Sequence, residues 1–307
     1  MESGVYRFSL GDFTCIAVRD GELNYPLDAF FANVPRAQVE EVLRREGLPT
    51  DRITTPYTCL LIDTGEHRVM IDTGAGNLGT LAPTMFPTVD HATTVTGQLL
   101  DNLRTAGIDP ATVDTVIITH AHPDHIGGNL DADGEPVFRD ARWVIGREEW
   151  AFWSSEHAAE MAPAPMVDIA RRAMAPLQDR LELVEDGDEI VPGIRVIAAF
   201  GHTPGHLAVE IVSRGARLLH ISDTALSSLH VEHPDWVPAF DLEPDQASAS
   251  KRRILDRAAA EQLLVFGHHF PPFPSIGHIR QGDSGWRWEP VRVASAPVQE
   301  PSEAPGR

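Results

Sequence analysis

The stretch THAHPDHIGGN, residues 119–129, sets His120, His122, Asp124 and His125 within six consecutive positions. Imidazole and carboxylate are ligands for borderline divalent cations, and a cluster of this kind is costly to bury unless a cation shares its lone pairs. Side chains two apart on extended backbone point the same way, so His120 and His122 can grip one ion. Asp124 and His125 follow a proline and occupy the next turn, which aims them at a neighbouring position. The spacing therefore predicts two metals. Gly127 and Gly128 permit the tight backbone that a helix start close to a metal requires.

Such a cluster needs rigid elements behind it. VDTVIITH reads as a buried strand that delivers His120 at its C-terminal edge, where layered α/β folds carry their chemistry. The order repeats in IRVIAAFGHTPGH, ARLLHISDTA, a helix near residues 245–262, and QLLVFGHH, each strand ending in His or Asp. Four strand ends thus converge on polar ligands. Upstream, GVYRFSLGDFTCIAVRDGEL suggests a hairpin turning at Asp20-Gly21. PRAQVEEVLRREG suggests a helix with Val39, Val42 and Leu43 on one face, Pro35 at its start and Gly47 at its end. TCLLIDTGEHRVMIDTGAG suggests a second hairpin turning over Asp63 to Glu66, and a helix is expected from Thr94, carrying Val95, Leu99, Leu103 and Ala106 and closing at Gly107. Two similar halves of strands followed by a helix predict one α/β domain over residues 1–290, sheets inside and helices outside. The stretch ASAPVQEPSEAPGR has almost no large apolar residue, so a disordered tail is expected over residues 291–307.

The chain has 307 residues, 42% of them hydrophobic, enough for a sizeable core. No run approaches the roughly 20 apolar residues that span a bilayer. The opening MESGVYRFSLGDF lacks a basic region followed by an apolar run, so a cytoplasmic location is expected. A net charge of −20, with Lys251 as the only lysine, gives a surface that repels nucleic acid and anionic membranes. The two cysteines, Cys15 and Cys59, allow at most one disulfide, and Cys59 in YTCLLI is expected as a buried thiol.

HAHPDH resembles the H-x-H-x-D-H motif of the metallo-β-lactamase superfamily, and VMIDTGAG, GHTPGH, ISDTA and FGHH follow in that superfamily's order. The resemblance covers about residues 5–290. It implies a four-layer αββα sandwich with a binuclear centre, usually zinc, at one edge of the two sheets; iron, manganese or cobalt also suit such ligands. His120, His122 and His202 resemble the histidines of the first site, Asp124 and His125 ligands of the second, and Asp223 the carboxylate that bridges both ions. Asp72 resembles a non-ligand aspartate that orders the loops below the metals, and His206 a histidine beside the ligands rather than among them. For the last ligand, the general pattern takes the histidine after a glycine, His268. A subfamily containing methyl parathion hydrolase and related lactonases ends in a pattern like GxHFPFPxxG, which aligns His269. GHHFPPFPSIGH carries one proline more, and His269 is favoured over His268. SSLHVEHPDWVPAFDLEPDQASASKRRIL and WRWEP resemble further segments of that subfamily.

The resemblance implies hydrolysis by a metal-bridging hydroxide, with Asp124 and Asp223 in the catalytic centre and Asp124 handing a proton to the leaving group. The substrate expected is a neutral lactone, ester or phosphotriester. The alternatives are a thioesterase like glyoxalase II, a β-lactam hydrolase, or an iron-dependent sulfur dioxygenase of the same fold. Asp124 and His125 differ from the H-x-E-x-D pattern of flavodiiron proteins, which argues against electron transfer. A nuclease needs a basic face that −20 does not offer. Phe86, in the loop segment TMFPT, is placed to form a rim over the metals, and His230, His233 and Trp236 are candidates to line the pocket. Trp150, Phe152 and Trp153 in REEWAFW have the spacing of a helix burying its apolar face, so core packing is expected. The subfamily also implies a homodimer.

Overall fold

The structure of the chain is a computed structural model and describes residues 4–76, 95–282 and 285–292. Among the described residues the strands form two sheets of seven. The first sheet runs in chain order through β1 (Val5–Leu10), β2 (Phe13–Pro26), β3 (Arg52–Asp63), β4 (Arg68–Ile71), β5 (Thr115–Ile118), β6 (Arg142–Gly146) and β7 (Leu181–Val184). The second continues through β8 (Glu189–Val191), β9 (Ile194–Ala198), β10 (Leu207–Ser213), β11 (Ala216–His220), β12 (Leu264–Phe266), β13 (Ile276–Gln281) and β14 (Trp286–Pro290). β1 to β4 pair antiparallel and β4 to β7 parallel. In the second sheet β11 and β12 pair parallel and the other neighbours antiparallel.

The two-residue period of the strands sets the layers. Cys15 and Ala17 of β2, Ile117 of β5 and Val144 of β6 meet Val196, Val209 and Leu218 between the sheets. Ile16 and Val18, Val116 and Ile118, and Trp143 and Ile145 face outward from the same strands. Strands apolar on both faces need cover on both. Leu103 of the helix Leu99–Thr105, Trp153 of the helix Arg147–Ser154 and Val167 of the helix Ala164–Met174 cover the first sheet. Ile254, Leu255 and Ala258 of the helix Pro244–Ala260 cover the second against Leu219, Val265 and Ile279. The result is the four-layer αββα sandwich.

Three details differ from the sequence reading. The opening hairpin turns at Gly11-Asp12; Asp20-Gly21 lies inside β2, where the register shifts by a bulge between Arg19 and Gly21. Asp20 is instead a buried anchor, accepting from the amides of Ala75 (2.9 Å), Gly97 (3.3 Å) and Leu99 (3.1 Å). The helix expected from Thr94 begins at Leu99, because Val95 is exposed and pairs through its backbone with Glu22 of β2. Thr94, Phe86 and residues 293–307 of the expected tail lie outside the described residues. Val39, Val42 and Leu43 are buried on one face of the helix Arg36–Arg45, as expected. Cys15 and Cys59 are free and buried. No helix among the described residues is long and apolar enough to cross a membrane.

Candidate metal centre

β4 and β5 run parallel in one sheet, while β9, β11 and β12 run in one direction in the other, so the loops after these five strands open at one edge of the sandwich. Those loops carry Asp72, His120 to His125, His202 and His206, Asp223, and His268 and His269. Pro123 explains the local shape of the second loop. A residue before proline is pushed to extended backbone, and His122 has φ −71° and ψ 152°. Pro123 then opens the one-turn helix Pro123–Ile126, which carries Asp124 and His125 and sets the His125 ring 4.0 Å from that of His120. Gly128 is required where it stands, since a Cβ there would meet Thr73 O at 2.2 Å. Gly127, at φ −64°, has ordinary helical geometry.

One group comprises His120, His122, His202 and Asp223, the other Asp124, His125, His268 and His269. In the first, His122 Nδ1 lies 2.9 Å from His202 Nε2, and Asp223 Oδ2 lies 3.3 Å from His202 Nε2 and 3.8 Å from His120 Nε2. In the second, His269 Nε2 lies 3.3 Å from Asp124 Oδ2, and His125 Nε2 lies 4.0 Å from the same oxygen. Asp223 reaches this group too, with Oδ1 3.2 Å from His125 Nε2 and Oδ2 3.3 Å from His269 Nε2. His268 stacks on the face of His125, ring centroids 4.0 Å apart.

The unpartnered atoms fit a cation. His120 Nε2, His125 Nε2 and Asp223 Oδ1 are buried without hydrogen bonds, although the last two lie 3.2 Å apart. Buried polar atoms that are close but misaligned for each other point at a common third partner. The electrostatics agree. Burial lowers the affinity of His202 and His269 for protons, yet Asp223, with Asp241 or Asp124, offsets this and carries both imidazoles up to about 9. Burial alone works against Asp223, but His125 and His269 hold its carboxyl well below the usual range. Carboxylates that demand positive charge among imidazoles make a site where a divalent ion can replace protons.

Three ring nitrogens that face away from the cluster are held by the protein. His125 Nδ1 donates to Asp72 Oδ2 (2.8 Å), His202 Nδ1 to Asp241 Oδ1 (2.8 Å), and His269 Nδ1 to the carbonyl of Pro56 (3.2 Å). Asp72 also accepts from the amide and hydroxyl of Thr119, each at 2.8 Å. His206 donates from Nδ1 to Ala199 O and accepts at Nε2 from the amide of Asp223, so it fixes that residue's backbone.

Of the proposed pocket residues, His230 is buried, with Nε2 donating to Phe30 O at 2.8 Å and Nδ1 beside Ser227 Oγ. Trp236 is buried against Phe31 and stacked on His233. Lys251, also buried, donates to the carbonyls of Trp236 (2.9 Å) and Pro234 (3.4 Å), which ties that loop to the helix Pro244–Ala260. Trp153 packs in the core, as expected, but its ring also meets His122 edge-on at 5.9 Å.

Sequence reasoning missed Asp241, Glu149, Tyr25 and Tyr57. The two tyrosines are buried and joined hydroxyl to hydroxyl at 2.5 Å, with the Tyr57 ring 5.4 Å from His269. Burial first and then the charge of Asp124 push the Tyr25 hydroxyl well above its ordinary pKa. Their only signal was aromatic character in strands, which core residues share.

Chains of known structure repeat this architecture. AidC, a dizinc quorum-quenching lactonase solved in complex with a product, superposes with a TM-score of 0.85 at 26% identity, over 95% of this chain and 99% of that one. The hydrolase AbOPH of the beta lactamase superfamily gives 0.84 at 27% identity, over 96% and 100%. In sequence, the N-acyl homoserine lactonase AiiA of Bacillus thuringiensis subsp. kurstaki is 26% identical over 235 residues, 72% of this chain and 84% of the relative. The sequence pattern of the metallo-beta-lactamase superfamily matches residues 52–284, a span that holds every residue of both candidate groups, and the chain belongs to that superfamily.

Proposed function

We propose that this chain is a two-metal hydrolase of neutral esters, with lactones first among its substrates. The observation that carries the reading is the position of Asp223, whose two oxygens lie within 3.3 Å of His202 and His269 on one side and 3.2 Å of His125 on the other. One carboxylate thus faces both groups. His120, His122 and His202 would hold one ion with Asp223, and Asp124, His125 and His269 the other. Zinc suits a set made only of imidazole and carboxylate. When bound, two such ions supply a water of lowered pKa and a Lewis-acidic seat for a carbonyl oxygen.

The chain's own residues supply the rest. Asp124 is the most open of the carboxylates in the cluster, its side chain 17% exposed against 3% for Asp223. Its carboxylate would accept a hydrogen bond from the attacking water and pass a proton to the leaving oxygen. Tyr25 and Tyr57, with Phe30 and Phe240 packed on Tyr25, exclude water from that side. A cavity of about 370 Å³ lies beside the His269 loop, lined by Ile53, Pro56, Leu229, Pro271 and Phe273 together with Arg19, Glu22 and Arg52. The lactonase activity of the relatives favours a lactone over the other neutral esters.

The test is metal quantification on protein purified without added metal, coupled to a panel of lactones, aryl esters, phosphotriesters and thioesters. About two equivalents of zinc are expected, with lactone cleavage lost on chelation, restored by zinc, and absent from His120→Ala. Activity indifferent to chelation would sink the reading. So would iron content with oxygen consumption on a persulfide.

A further inference from the structure

Glu149 is a fully buried carboxylate in the first turn of the helix Arg147–Ser154 and belongs to neither candidate group. It accepts four hydrogen bonds. Oε1 receives the amide of Ala121 at 2.8 Å and the indole N–H of Trp153 at 2.7 Å. Oε2 receives the hydroxyl of Thr203 at 2.6 Å and the amide of Gly205 at 3.0 Å. Ala121 lies between His120 and His122, and Thr203 to Gly205 lie between His202 and His206. The two loops come from different sheets, β5 in the first and β9 in the second. One carboxylate therefore joins, across the sandwich edge, the backbones that carry the three imidazoles of the first group.

The packing is equally close. A Cβ on Gly205 would meet the Glu149 backbone nitrogen at 2.0 Å, so the second loop lies flush on the helix at this residue. The ring of Trp153, fixed through its N–H to Glu149, in turn borders His122. An isolated buried carboxylate is strongly disfavoured, and four donors are what retain this one. Three of those donors are N–H groups that cannot reverse, which makes the position selective for an acceptor with two equivalent oxygens. An apolar residue would fill the helix–sheet interface without linking the loops.

We propose that Glu149 is a positioning residue of the metal centre, setting the separation of His120 and His122 from His202 and hence the retention of the ion they hold. This rests on the two-ion reading above. The experiment follows metal release from the full chain, loaded with zinc or cobalt, against increasing chelator, together with the cobalt absorption spectrum and the melting temperature of the metal-free protein. In Glu149→Gln the amide NH₂ faces at least one fixed N–H in either orientation. One of the two ions should leave at chelator concentrations about tenfold lower than in the wild type, with an altered cobalt spectrum, while the other is retained. Release of both ions at wild-type concentrations with the wild-type spectrum overturns the inference, even if Glu149→Gln melts lower, because a merely structural glutamate predicts that result. If Glu149→Gln does not fold, Thr203→Ala and Trp153→Phe each remove one donor and keep the carboxylate. Looser binding of one ion in Thr203→Ala supports the inference, and wild-type retention in both variants overturns it. A wild-type chain that binds no ion overturns the two-metal reading and this inference together; two ions in the wild type with no change in the variants overturn this inference alone.

Discussion

Asp72 and His125 are joined by a hydrogen bond of 2.8 Å from imidazole Nδ1 to carboxylate Oδ2, with both side chains fully buried. The bond fixes which nitrogen of His125 faces the cluster and makes it a stronger donor to a cation. Asp72→Asn keeps an acceptor for Thr119 and tolerates the positive φ of 58° found there, but it removes the charge behind the imidazole. Metal affinity should fall by roughly 10- to 100-fold, measured by competition with a chromogenic chelator. An unchanged affinity would remove Asp72 from the positioning of His125.

His269 and His268 should separate cleanly. His269 Nε2 lies 3.3 Å from oxygens of both Asp124 and Asp223, whereas His268 lays its ring against that of His125. His269→Ala is expected to hold one ion fewer than the wild type, and His268→Ala the wild-type number. Elemental analysis of the purified variants decides, and the opposite pattern would transfer the ligand role to His268.

Gly201 precedes His202 with φ +124°, and a Cβ there would meet the backbone nitrogen of Ala247 at 2.0 Å. Gly201→Ala must strain its own backbone and push the loop away from the start of the helix Pro244–Ala260. A loss of about 2 kcal/mol or more in unfolding free energy is expected, accompanied by weaker metal binding because His202 moves with it. Urea denaturation and metal content together test this; a stable variant with a full metal complement contradicts it.

Asp20 supplies a pH dependence remote from the ligands. Burial raises its carboxyl from 3.8 to about 6, against the amides of Leu99, Gly97 and Ala75, which favour the ionised form. The folded value exceeds the unfolded one, so this contribution to stability is fully present below about 4 and is lost as pH rises through about 6. A shift of about two units corresponds to roughly 3 kcal/mol. Asp20→Asn is neutral throughout. The unfolding free energy of the wild type relative to Asp20→Asn should therefore fall between pH 4 and 6, a difference that urea melts at several pH values resolve. A flat difference would mean that the backbone amides, not burial, govern Asp20.

The strand ends that carry the two candidate groups were legible because each is local: an apolar run followed at once by His or Asp, as in the approaches to His120, His202 and Asp223. The layering was legible from two similar halves, each of strands followed by a helix, and the four-layer order from the resemblance of the His and Asp motifs. What escaped was long-range. Asp241 meets His202 across 39 residues and Glu149 meets Ala121 across 28, and neither sits in a pattern that marks it. Tyr25 and Tyr57 come from two adjacent strands and read as core from either alone. Asp20-Gly21 has the composition of a turn, but the tertiary hydrogen bonds of Asp20 hold it inside a long strand, where local propensity gives way.

Lys251 is the only lysine of the chain and is 2% exposed. A folded molecule of this kind offers no lysine amine at its surface to acylating agents, including any activated ester that it binds. Amine-reactive labels would reach Lys251 only when the Pro234–Trp236 loop lets go of it, so the rate of labelling at this one residue is a chemical clock for the release of that loop from the helix Pro244–Ala260.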